Sequence, residues 1–169
     1  YKRQIIFNGV SKAYSMTGWR IGYAAGNKEI IKKMKTLQSQ STSCASSVSQ
    51  YAAISALTQK CEELPKMNAE YKERHDYVVK ELNNIPGVTC RETDGTFYVF
   101  PSFTKYIEES QKINNDDELA MYLLNEGKVA VVPGSAFGMS GHLRLSIALD
   151  LKTLEIAMNR IKTTLNNDE

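Results

Sequence analysis

The sequence predicts a mixed α/β fold in two parts: two strands and a helix from one sheet, then a complete small α+β domain. Three observations predict it. Two apolar runs, Ile5-Ile6-Phe7 and Ile21 to Ala25, flank a polar, glycine-punctuated connection, and strong strands holding such a loop make a rigid frame that presents a site. A helical period then runs from about Val48 to Asn84. Beyond it the pattern reads hairpin, helix, strand, strand, helix, the composition of a small layered domain.

In chain order, the first strand ends at Asn8-Gly9 and the second is closed by Gly26. Both read as buried, and a lone strand pair is marginal, so outer neighbours or self-association through these edges is expected. Asn27 is placed to cap a helix whose Ile30, Ile31, Met34 and Leu37 share one face. Lys28, Lys32, Lys33 and Lys35 form its solvated side, the alternative being a phosphate-binding patch. Gln38 to Gln50 is rich in Ser, Thr and Gln without apolar period and reads as a loop or domain junction.

Tyr51, Ile54 and Leu57, then Leu64, Met67, Tyr71, His75, Val78 and Leu82, carry the helical stripe, with Pro65 kinking it or starting a new helix. Ile85-Pro86-Gly87 stops that helix. Val88 to Glu92 and Thr96 to Phe100 read as a hairpin turning near Asp94-Gly95. Thr104 to Asn115 is polar and reads as a surface excursion. Asp116 is expected to cap a helix burying Leu119, Ala120, Leu123 and Leu124 and ending at Gly127. Lys128 to Val132 is the next strand, Pro133 to Gly138 a turn, Leu143 to Leu149 a strand, and Leu154 to Leu165 the closing helix.

Composition is that of an ordinary globular protein, 42% hydrophobic and 24% charged. A net charge of +2 argues for neither nucleic acid nor a membrane surface as partner. No apolar run approaches the roughly 20 residues that span a bilayer. Cys44, Cys61 and Cys90 are odd in number and lack metal-ligand clustering, which predicts reduced thiols, a cytoplasmic protein and no metal site. Residue 1 is tyrosine and an apolar strand follows almost at once, which predicts a piece of something longer.

Three cations stand out. Lys12 follows the first strand and precedes Arg20 by eight residues. A lysine amine can condense with a carbonyl, and burial or positive neighbours favour the neutral form that attacks; a solvated loop lysine is the alternative. Arg20, beside the only tryptophan, Trp19, opens the second strand. Its fork fits a phosphate or carboxylate, Ser11 offers a hydroxyl to the same anion, and an internal ion pair is the competing reading. In Leu143-Arg144-Leu145-Ser146-Ile147 the alternation sets Arg144 and Ser146 on the face opposite three aliphatics. The glycine-rich turn upstream leaves room for a small ligand there, against the alternative of a structural salt bridge. His75 on an apolar stripe and His142 before a strand read as packing residues. No phosphate loop, nucleophile elbow or Ser/His/Asp set is present.

Asn8-Gly9-Val10-Ser11-Lys12-Ala13 with Met16-Thr17-Gly18-Trp19-Arg20-Ile21-Gly22-Tyr23 closely resembles the cofactor-lysine segment of class I aspartate aminotransferases, fold-type-I pyridoxal-phosphate enzymes. Gly95-Thr96-Phe97-Tyr98, Val131 to Gly138 and Leu143-Arg144-Leu145-Ser146 resemble later signatures of that family in the same order. The resemblance implies pyridoxal 5′-phosphate as cofactor, held covalently by Lys12 and at its phosphate by Ser11 and Arg20. It implies that Lys12 moves the proton between the substrate Cα and the cofactor C4′, and that Arg144 grips the substrate α-carboxylate.

It further implies a homodimer that exchanges an amino group between an amino acid, typically aspartate, and a 2-oxo acid, typically 2-oxoglutarate. Residues 1–46 would be the C-terminal piece of the large cofactor domain, 47–84 a connecting helix and 85–169 the small domain. Family members are about twice this length. The aspartate on the pyridine nitrogen, the ring-stacking aromatic and the contacts to the ring oxygen would lie in a missing N-terminal half, so the chain alone is expected to be inactive. In one branch of the family an arginine in the segment after the first helix reads the distal carboxylate; Gln38 to Gln50 holds none and resembles the branch in which the other half reads it. Another pyridoxal-phosphate aminotransferase, for prephenate or aromatic substrates, and a non-catalytic folding or interaction module are the alternatives.

Overall fold

A computed structural model describes residues 3–167, and the chain divides into two compact units, Tyr1–Lys66 and Met67–Glu169. In the first unit, strands β1 (Ile6–Gly9) and β2 (Gly22–Ala25) pair antiparallel, with Ile6 opposite Ala25 and Gly9 opposite Gly22. Helices α1 (Lys28–Ser41) and α2 (Ser47–Thr58) follow. The side chain of Asn27 accepts the Glu29 N–H, so the predicted cap is present.

Two expectations for this unit change. The strands read as buried, yet Ile6 is 61% and Phe7 69% exposed. Among the described residues the sheet has only these two strands, so nothing covers their apolar side chains. The polar run from Gln38 is not a loop throughout, because α1 continues to Ser41. The hydroxyls of Thr36, Ser39 and Ser41 donate to carbonyls three or four residues back, at 3.1, 2.7 and 3.3 Å, which satisfies them inside the helix.

The helical stretch from Val48 is two helices. After α2, residues 59–62 break the backbone ladder and α3 (Glu63–Asn83) begins. Pro65 falls in the first turn of α3, where its missing N–H has no helical partner to lose.

The second unit holds the rest of α3, then β3 (Tyr98–Val99), α4 (Thr104–Glu109), α5 (Asp116–Asn125), β4 (Val132–Pro133), β5 (Leu143–Ser146) and α6 (Leu151–Asn166). The sheet order is β3-β5-β4, both pairings antiparallel. The centre of the core includes Val78 and Leu82 of α3, Phe103 just before α4, Leu119 and Leu123 of α5, Leu143 of β5 and Ile161 of α6, each 0% exposed, with partly buried aromatics around them. Each such side chain contributes about 1.5–3 kcal/mol by leaving water. Lys162 of α6 also ion-pairs with Glu81 of α3.

The predicted hairpin at Asp94-Gly95 does not form. β3 pairs with β5, and Thr89 makes only an isolated bridge to Ser102. The 90–93 backbone is taken by side chains of α3 instead: Asn83 accepts the Cys90 N–H at 2.8 Å and donates to its carbonyl at 2.9 Å, and His75 Nε2 accepts the Thr93 N–H at 3.2 Å. Those bonds satisfy the backbone groups a hairpin would have used. Strand β4 is likewise two residues, Val132–Pro133, rather than Lys128 to Val132, and Lys128, at a φ of +54°, stands outside any extended run. The excursion from Thr104 includes the short helix α4 and buries Ile113.

Cys90 is 5% exposed, and burial pushes its thiol up to about 11. Alkylation of native protein at pH 8 is therefore expected to modify Cys90 at least about 10²-fold more slowly than an ordinary exposed thiol, with full modification in denaturant. Peptide mapping by mass spectrometry checks this, and labelling of Cys90 at the rate of the exposed Cys61 would contradict it.

Candidate active site

The connection between β1 and β2 is a folded turn, not a slack loop. Val10, 1% exposed, anchors its start. The Tyr14 N–H donates to the Val10 carbonyl at 3.3 Å and the Ser15 N–H to the Lys12 carbonyl at 3.1 Å. Ser11 is half-buried and Lys12 exposed on this turn. A single 3₁₀ turn, Thr17–Trp19, then closes on Arg20, whose φ of +51° is left-handed. Non-glycine residues seldom adopt that region. Here the Arg20 side chain folds back, with Nη1 donating to the Thr17 carbonyl at 3.0 Å.

Arg20 was expected to open the buried second strand. It stands before that strand, exposed, since β2 starts only at Gly22 and a left-handed residue cannot continue an extended run. Among the described residues none of the ion pairs involves Arg20, and the segment from Asn8 to Gly26 itself holds no carboxylate. Among the described residues the Thr17 carbonyl is the side-chain partner of Arg20. The turn thus carries an amine, hydroxyls and a guanidinium on a segment whose own sequence holds no Asp or Glu.

Arg144 lies in the second unit, on the central strand β5 opposite Val132. Its neighbours Leu143 and Leu145 are buried while it is half-buried, so the predicted alternation holds. Its guanidinium carbon sits 4.6 Å from the Tyr98 ring centre and 4.5 Å from that of Phe137. Both are cation–π distances. The salt-bridge alternative fails here as well, because among the described residues Arg144 pairs with no carboxylate. Two aromatic rings flank the cation, and its N–H groups remain able to take a carboxylate bidentately.

Tyr98 and Phe137 had been assigned no role by sequence reasoning, although both stand in segments it singled out. The missing information was register. Tyr98 faces Ser146 across β3 and β5, and only that pairing puts its ring on the Arg144 face. Asp116 was read as a helix cap, but Asn115 fills that position, its side chain accepting the Glu118 N–H at 2.9 Å. Asp116 is 2% exposed and accepts the Ser135 N–H at 2.7 Å and the Gly141 N–H at 3.1 Å. Burial alone would raise its carboxyl; the Ser135 and Gly141 amides and the Ser135 hydroxyl outweigh that and hold it below the usual carboxylate value. Sequence offers no sign of this bond pair, which spans residues far apart in the chain.

The histidines pack as expected. His75 is 8% exposed, and because its Nε2 accepts the Thr93 N–H, Nδ1 carries the proton and faces Asp76 at 3.2 Å. His142 stacks on Phe100 with ring centres 5.2 Å apart.

The sequence matches the family model for aminotransferase class I and II over residues 1–161. The chain belongs to that family. It is 45% identical over 163 residues to an aspartate aminotransferase of Rhizobium meliloti, a match covering 94% of this chain and 40% of the relative. It is 47% identical over 166 residues to an aspartate/prephenate aminotransferase of Cereibacter sphaeroides, covering 96% and 42%. A crystal structure of the aspartate aminotransferase from Rhizobium meliloti superposes with a TM-score of 0.93 at 43% identity, covering 98% of this chain and 42% of that one. The chain thus spans about 40% of the length of the curated relatives it matches, and its mixed α/β fold corresponds to a C-terminal part of the aminotransferase fold.

Aminotransferases of this family depend on pyridoxal 5′-phosphate. That group presents an aldehyde and a phosphate dianion. The turn after β1 offers one primary amine for the first, and a hydroxyl and a guanidinium for the second, with no carboxylate between Asn8 and Gly26 to compete. The donor set fits the group.

Proposed function

We propose that this chain is the C-terminal part of a pyridoxal-phosphate-dependent aspartate-type aminotransferase. The observation that carries the reading is the turn between β1 and β2, where Lys12, Ser11 and Arg20 stand together on one connection without an acidic residue. When bound, the cofactor supplies an electron sink for the Cα–H bond of an amino acid. The protein's task is then binding, orientation and proton transfer.

Lys12 would hold the cofactor through its amine, and its neutral amine would serve as the base that moves the proton from the substrate Cα. Ser11 and Arg20 bind the phosphate and fix the cofactor against rotation. Arg144 binds the substrate α-carboxylate through its two-pronged edge, with Tyr98 and Phe137 holding the plane of the guanidinium.

Residues 1–46 are proposed as the end of the large cofactor domain, 47–84 as the connection and 85–169 as the small domain. The full protein is proposed to be a homodimer. Support comes from exposed apolar side chains such as Phe7, Leu37 and Tyr51, at 69%, 73% and 76%, which other residues of the full-length protein or a second copy would cover. Cys44, Cys61 and Cys90 are all free thiols, which favours a reducing, cytoplasmic setting.

Aspartate and 2-oxoglutarate are the proposed substrate pair. Prephenate as a second amino acceptor is favoured by the relative named aspartate/prephenate aminotransferase, 47% identical. The test is a coupled assay of the full-length protein loaded with cofactor, with aspartate as donor and 2-oxoglutarate or prephenate as acceptor. Oxaloacetate formation with 2-oxoglutarate is expected. Turnover of other amino acids but not aspartate would overturn the aspartate reading, and turnover of none would overturn the aminotransferase reading. The isolated chain is expected to give no turnover, since the groups that meet the cofactor ring lie outside it.

A further inference from the structure

The turn that leads into β5 is held by a buried carboxylate, Asp116. Residues Gly134–Phe137 form a 3₁₀ turn, and the chain then loops through Gly138 and Gly141. Asp116 spans both ends of this loop, Oδ2 accepting the Ser135 N–H at 2.7 Å and Oδ1 the Gly141 N–H at 3.1 Å. Inside, the Gly134 N–H donates to the His142 carbonyl at 2.7 Å and the Met139 N–H to the Gly134 carbonyl at 3.0 Å. The backbone is packed tightly enough that a Cβ on Gly134 would collide with the Met139 carbonyl, and one on Gly141, at φ +73°, would lie 2.5 Å from Thr104 Oγ1.

Phe137 is carried on this loop. Its ring is 49% exposed, so burial does little to hold it. What sets its position is the turn beneath it, together with an edge-on contact to Phe100 at 6.1 Å between ring centres. On its other side the ring lies 4.5 Å from the Arg144 guanidinium. The contacts run from Asp116 to the loop backbone, from the loop to Phe137, and from Phe137 to Arg144.

We infer that Asp116 is a positioning residue for carboxylate recognition: it locks the Ser135–Gly141 loop so that Phe137 holds the Arg144 guanidinium in the plane that meets the substrate carboxylate. The inference rests on the proposed role of Arg144. A helix cap is not what Asp116 provides, since Asn115 supplies it. Two charge-assisted bonds to backbone amides are strong enough to fix a loop of this length, and a side chain that is 2% exposed is shielded from competing water.

The experiment uses full-length enzyme loaded with cofactor, and measures two quantities: the dissociation constant of succinate, a dicarboxylate without an amine, and the kinetic constants for aspartate. Asp116→Asn keeps the shape of the side chain but sets an NH₂ against one of the two backbone N–H donors. It is expected to weaken succinate about tenfold, the worth of one well-held cation–π contact, and to raise KM for aspartate more than it lowers kcat. Phe137→Leu should cost about as much, and Phe137→Tyr should retain affinity because it keeps the ring. In the double variant Asp116→Asn/Phe137→Leu the two losses should not add, since both act through one ring.

Additive losses, or unchanged succinate affinity in Asp116→Asn, would overturn the inference. If Asp116→Asn does not fold, Phe137→Leu carries the test, and unchanged affinity there overturns it equally. Arg144→Gln in the same series separates the two readings. Unchanged succinate binding in that variant defeats the role of Arg144, whereas weakened binding there with intact binding in Phe137→Leu defeats only the positioning by Asp116 and its loop.

Discussion

Lys12→Ala in the full-length enzyme is expected to lower transamination by on the order of 10⁴-fold or more. The same variant should lose the visible absorption band of the covalently held cofactor. On the proposed roles two losses combine: the amine that would bind the cofactor aldehyde, and the base that would carry the proton at Cα. Lys12→Arg distinguishes them from simple charge, because it keeps a cation on the turn but not a nucleophilic amine; it should be as inactive as the alanine variant. Ser11→Ala and Arg20→Gln should retain the band at saturating cofactor and bind it more weakly, as expected of groups that hold a phosphate. Retention of both band and turnover by Lys12→Ala would remove Lys12 from the chemistry, whatever the family.

Arg144→Gln is expected to lower kcat/KM for aspartate by about 10²- to 10³-fold, the range for losing one partner of a desolvated charge pair. The cofactor band should be unaffected, since Arg144 lies on the three-stranded sheet of the second unit and is proposed to bind only the substrate. Arg144→Lys restores the charge but not the planar fork, and should recover only part of the loss. The decisive comparison is between aspartate and its α-amide. Wild type should favour the acid strongly, and Arg144→Gln should erase most of that preference. Equal losses on both substrates would mean that Arg144 supports the fold and does not read the carboxylate. The geometry argues against that outcome, because no acidic partner is recorded for this cation among the described residues and two aromatic rings frame it.

Much of the fold was legible in order and type because it rests on local periodicity. Helix α6 shows its apolar stripe plainly, and the Asp150 side chain accepts the Thr153 N–H at 3.0 Å as its cap. The β5 alternation was readable for the same reason. Legibility failed where a distant side chain competed for backbone groups. A hairpin at Asp94-Gly95 is locally sound, but Asn83 and His75 hold the residues before it. The length of α1 was missed because serine and threonine within a helix can turn their hydroxyls back onto its carbonyls. Exposure of β1 could not be read at all, since a strand's burial depends on what covers it.

The site divides along the same line. Composition and order along the chain determined the family resemblance, the Lys12, Ser11 and Arg20 turn, and Arg144 on the polar face of its strand. These are short-range facts: which residue types follow a strand, and which face alternation selects. Only the tertiary structure decided that Arg20 precedes β2 in a left-handed conformation, that Tyr98 and Phe137 flank Arg144, and that Asp116 grips a loop instead of capping a helix. Each depends on register or on contacts between elements distant in sequence. Such contacts are set by how the core packs, and no local pattern encodes them.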